Sequence, residues 1–132
     1  MSKLEASIKN IESLKTLNIV TFDFFGLELK MMSLELEESM QVGKKVCLGI
    51  KPTSVAIAKD LSGVLSYSNQ IKSTIKSMDM GELLCSIKLL ACESVFESII
   101  TTASAKRMEL KEGDSVVALI KANEISIVEV LS

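Results

Sequence analysis

The side chains with chemistry to offer are few, and one of them recurs. Lys51 and Lys121 each close an apolar run, "VCLGIK" and "VVALIK". Around them the phrases Gln41–Ala56 and Lys111–Ser126 match at a constant offset of seventy, with Gly43 on Gly113, Val46 on Val116, Ile50 on Ile120 and Ile57 on Ile127. A lysine at a strand end is ordinarily a solvated surface residue. Its recurrence inside a repeated phrase raises a second reading, an ammonium group with its N–H donors turned toward an anion. No histidine, P-loop pattern or Gly-x-Ser-x-Gly accompanies it, so an enzyme is not expected.

Other classes fall away on composition. Cys47, Cys85 and Cys92 are odd in number, form no C-x-x-C and lie in apolar surroundings, so they read as reduced core thiols. Without histidine, no zinc or iron ligand set is available, and no direct protein–metal ligand is expected. A net charge of −2 and an aromatic content of 4% argue against a nucleic-acid binder. The N-terminus "MSKLEASIKN" has no apolar leader, and no apolar run approaches the ~20 residues of a membrane helix. A cytoplasmic protein without membrane insertion is therefore expected.

The repeat sets the organisation of the 132 residues: a first unit at 1–60, a second at 66–132, and "KDLSGVLSYS" as a short ordered crossing. Within each unit the apolar pattern has period two. "LLCSIKL" sets Leu83, Cys85, Ile87 and Leu89 on one face, and "SVVALIK" does the same for Val116, Ala118 and Ile120. "LNIVTFDFF" and "LELKMM" behave alike, with Phe22, Phe24 and Phe25 as core and Met31–Met32 as filler. One helix-like stretch per unit interrupts the strands. These are "SLELEESM", carrying Glu35, Glu37 and Glu38 on an exposed face, and "ASAKRMEL". The prediction is all-β: two tandem five-stranded OB-like β-barrels, each with a small helix.

Three ordered segments of the second unit resemble the molybdenum-pterin-binding (Mop) family, also called the TOBE domain. They are "SYSNQIKSTI" (Ser66–Ile75), "IITTAS" (Ile99–Ser104) and "LKEGDSVVALIKANEISI". The first unit resembles the family more faintly, through "VGKKVCLGIKPTSVAI". The whole chain is thus similar to a tandem di-Mop protein. The resemblance implies molybdate or tungstate as the bound oxyanion, with no other cofactor, held where domains meet and usually across subunits. It also implies storage, homeostasis or sensing as the role, in a homo-oligomer that is a dimer or trimer.

The residues matched by the resemblance suit such a ligand. A tetrahedral dianion has acceptor oxygens and, at neutral pH, no proton, so its site needs donors. The implied set is Lys121, Thr101 and Ser104 at the turn into the helix, and Ser66, Ser68 and Asn69 in the crossing, with Lys51 and Ser33 as secondary candidates. Ser68 stands where the family usually has arginine. At the offset of seventy, Met31 and Leu34 fall opposite Thr101 and Ser104, while a shorter turn would bring Ser33 opposite Thr101. The first unit begins at Ser2, opposite Asn69, so unequal contributions are expected. The competing reading is a non-catalytic interaction module with weak or no anion binding.

Overall fold

The computed structural model describes all 132 residues. Its first half contains β1 (Ser2–Leu14), β2 (Leu17–Phe24), β3 (Leu27–Ser33), β4 (Lys45–Ile50) and β5 (Ala56–Ala58). Its second half contains β6 (Asn69–Met80), β7 (Leu84–Ala91), β8 (Ser94–Thr101), the helix α1 (Thr102–Arg107), β9 (Ser115–Ile120) and β10 (Ile125–Val130). A 3₁₀ turn follows β4 at Pro52–Ser54, and another follows β9 at Ala122–Glu124. The period-two pattern is realised with antiparallel pairing throughout. The protein is mainly β, with two five-stranded OB-like curled sheets.

The sheets do not follow the sequence units. One has the order β10-β4-β1-β2-β3 and the other β5-β9-β6-β7-β8, so each half lends its last strand to the other. Ile125 pairs with Ile50, and Ala56 with Leu119. Gly49 makes room for β10 in the first of these exchanges. A Cβ there would lie 2.5 Å from Cγ1 of Val128, the residue at the bulge of β10. The two cores merge into one apolar cluster that runs from Leu4 and Phe22 to Phe96 and Ile125.

The repeated phrase has a local cause. Gly43 and Gly113 take φ of +96° and +88°, which glycine reaches without a Cβ penalty. Each then donates its N–H to an equivalent carbonyl, Ile8 and Ile75 respectively, both at 2.8 Å. Those acceptors sit beside the bulges of β1 and β6, where the strands bend to close the barrel. The left-handed glycine and the bulge together turn the chain into β4 and β9.

Four expectations need correction. Ser33–Met40 forms no helix. Strand registers place the halves at an offset of sixty-seven up to Ser33 and Ile100, and at seventy from Gly43 and Gly113 onward. The first half is therefore three residues shorter where the second has α1. The Ser33 hydroxyl bonds Glu35 there, a local turn that competes with helix. Phe25 is 61% exposed at the β2–β3 hairpin tip, because the turn there needs positive φ at Phe25 and Gly26. Cys92 occupies the matching tip between β7 and β8 and is exposed, whereas Cys47 and Cys85 are buried. Leu83 lies in the turn before β7 and is exposed, unlike Cys85, Ile87 and Leu89.

Candidate functional site

Lys51 and Lys121 end their strands in the same backbone conformation, with φ/ψ of −73°/131° and −70°/149°. Each accepts an N–H at its carbonyl from the third residue on, Ser54 and Glu124, both at 2.9 Å. Both side chains are exposed, and neither ammonium group has an ion-pair or hydrogen-bond partner within the chain. The two turns touch: the Ser54 hydroxyl donates to the Glu124 carboxylate at 2.9 Å. Those residues are equivalents in the repeat, so the contact marks the internal pseudo-twofold axis.

Ser68 and Lys121 share an edge. Asn69 pairs with Ile120, and Ser68 and Lys121 are the next residue along each strand. Ser66 and Ser68 are exposed and their hydroxyls make no bond within the chain. The Gln70 side-chain amide donates to the Tyr67 carbonyl at 3.0 Å and fixes the segment between them. An ammonium group and two free hydroxyls thus lie at the start of β6 and the end of β9, with no carboxylate paired to the charge.

Asn69 plays a different part from its neighbours. It is fully buried, its Oδ1 accepts the Lys30 N–H at 2.6 Å, and its Nδ2 donates to the Lys30 carbonyl at 2.9 Å. Its side chain is committed to this clasp. Thr101 and Ser104 also bond each other. Thr101 caps α1, its Oγ1 accepting the Ser104 N–H at 3.1 Å and donating to the Ser104 hydroxyl at 2.9 Å. Thr101 pairs with Leu84, and Leu83 and Leu84 are both exposed.

No hydrogen bond joins Thr101 or Ser104 to the edge formed by Ser66, Ser68 and Lys121. The strand exchange seats the two lysine turns on opposite halves. The turn after Lys121 packs on β3 of the first half, while the turn after Lys51 packs on β8, the strand that ends in Thr101. Ser33, at the end of β3, aligns with Ile100 rather than Thr101, and Leu34 follows it where Thr101 follows Ile100. The first half therefore has no hydroxyl pair at that place.

Asp114, which the sequence did not single out, anchors the repeated turn. Burial pushes its carboxyl up, but the Lys111 N–H at 3.0 Å and the Lys59 ammonium at 3.4 Å outweigh this and hold it below the ordinary value. Lys59 also donates to the carbonyls of Met108 and Glu109, at the end of α1. The equivalent position in the first half is Lys44, which bonds the Ser132 carbonyl instead. An acid three residues after a lysine at a glycine turn was the available signal.

These features define a class: tandem, interlocked OB-like barrels with a lysine at each closing strand. Residues 65–127 match the TOBE domain. The chain is similar in structure to the cytoplasmic molybdate-binding protein ModG in its molybdate-bound form, with a TM-score of 0.88 and 24% identity over 95% of this chain and 93% of that one. A molybdate-binding protein from Sporomusa ovata matches with a TM-score of 0.49 and 27% identity, over 51% of this chain and all of that one. No curated protein matches the sequence significantly. The tandem OB-like fold expected from the sequence is the fold observed. None of the helices is long and apolar enough to cross a membrane.

Proposed function

We propose that the protein binds molybdate or tungstate, without catalysis, as a cytoplasmic storage, homeostasis or sensing protein. The observation that carries this reading is the Lys121 edge: an unpaired ammonium group one residue beyond a strand pair, with Ser68 at the facing position and the free Ser66 hydroxyl two residues before it in the chain. That is a donor-rich surface suited to a dianion that only accepts hydrogen bonds, each charged contact being worth about 1.5–3 kcal/mol. ModG, whose fold it shares, is a molybdate-binding protein, and that likeness supports the ligand class. The two repeat units run 1–60 and 66–132.

Lys121, Ser66, Ser68 and the main chain at Asn69 form one half of the site in this reading. Thr101 and Ser104 form a second half on a separate edge, with Lys51 as a weaker secondary cation. Halves that do not meet within one chain are completed where copies meet, as a dimer or trimer. The exposed Leu83 and Leu84 beside Thr101 are suited to such a seam. Serine at position 68 and the mutual bond of Thr101 and Ser104 favour a competing reading, an interaction module with weak or no anion affinity. Titration calorimetry with tungstate decides between them. Saturable heat, together with a change of solution mass, supports the first; no heat at millimolar anion refutes it.

A further inference from the structure

We propose that Asn69 is the positioning residue of this edge, holding Ser68 and Lys121 against the opposite half of the molecule without touching the anion through its side chain. The proposal rests on the oxyanion reading above. Three elements meet at Asn69. It opens β6, pairs with Ile120 at the end of β9, and clasps the backbone of Lys30 in the middle of β3 through both the oxygen and the nitrogen of its side-chain amide. Ser68 precedes the clasp by one residue, and Lys121 follows its strand partner by one. The turn after Lys121 rests on the same β3. Any rocking of β3 against β6 therefore moves the two donors relative to each other.

The molecule contains its own control. At the mirrored joint Ser2 opens β1, pairs with Ile50 and precedes the turn after Lys51. Its hydroxyl accepts the Glu97 N–H at 2.9 Å, and Glu97 is the equivalent of Lys30. That joint has one side-chain bond to the opposite strand; the Asn69 joint has two, on a fully buried side chain. The better-clamped joint is the one with a free hydroxyl, that of Ser68, at the position facing its lysine. Donors held in place before binding lose less freedom on binding, and affinity rises accordingly.

The test compares wild type, N69S, N69A and S2N by tungstate calorimetry at a temperature well below each melting point. N69S copies the mirrored joint and keeps one bond. Its affinity should fall about tenfold, a change worth about 1.4 kcal/mol, and N69A should fall further, with the number of sites unchanged. S2N should leave affinity at the Lys121 edge within about twofold. N69S binding within about twofold of wild type, whatever its melting point, overturns the positioning role while the oxyanion reading stands. Should N69A fail to fold, N69S alone decides. Silence from wild type itself overturns both.

Discussion

The two joints of this molecule are built from the same plan and finished differently. In the second half, Asn69 grips β3 with two bonds, α1 is present, and Thr101 caps it. In the first half, Ser2 makes one bond, the helix is replaced by an irregular stretch, and Leu34 stands where Thr101 would be. Yet Lys51 and Lys121 have nearly the same backbone geometry. The shared features belong to barrel closure, which both halves require. The features that differ cluster around the candidate donors of the Lys121 edge and the turn into α1.

The strongest challenge to this comparison concerns the shared core. Phe22 pairs with Leu29 in the first half, and Leu89 with Phe96 in the second, so large and small exchange places across equivalent pairs. Phe22→Ala and Phe96→Ala should each cost about 3–5 kcal/mol. Because the cores merge and the last strands are exchanged, each should lower a single urea transition. Two separate transitions would mean that the halves fold independently. Next in size is the ligand effect. Tungstate at 100 times its Kd should stabilise wild type by about 2.7 kcal/mol. Thermal melts should show Lys121→Ala losing most of this and Lys51→Ala little, and equal losses would erase the functional difference between the halves.

A third measurement sharpens the common plan. Gly43→Ala and Gly113→Ala force a Cβ into left-handed backbone, and each should cost about 1–2 kcal/mol in chemical denaturation. The Lys59–Asp114 clasp then separates the halves again, since Lys44 replaces the acid in the first. Asp114 has a folded pKa below its ordinary value of 3.8, so its contribution is complete above that pH and fades as pH falls through the lower folded value. Asp114→Asn should lower the melting point at pH 7 and flatten its dependence on pH below about 4. Smallest of all, Cys92→Ser should change stability by less than about 0.5 kcal/mol. A thiol reagent should label Cys92 alone in the native protein, because burial protects Cys47 and Cys85 and pushes their thiols up.

Much of the fold was legible because strand periodicity is local. Alternation in "LCSIKL" and "SVVALI" placed the core faces directly, and the repeated glycines marked the closing turns. Four local readings failed for local reasons: Phe25 and Cys92 sit at hairpin tips, Leu83 lies in the turn before β7, and Ser33–Met40 has helix-forming residues but three positions too few. The candidate residues were legible by type, since a lysine recurring in a repeated phrase is visible in one dimension. The side-chain commitment of Asn69 was not, because a hydrogen-bond partner thirty-nine residues away has no signature in composition or spacing.

By itself the sequence determined two barrels of five strands, their turns, and which polar groups each strand end carries, all of which follow from the stereochemistry of neighbouring residues. Tertiary structure alone decided that each barrel is closed by a strand of the other, and hence that Lys121 rests beside β3 and Lys51 beside β8. Equivalent edges accept either copy of an equivalent strand, so the choice is made by packing, in the room that Gly49 leaves for Val128 and the grip of Asn69 on Lys30.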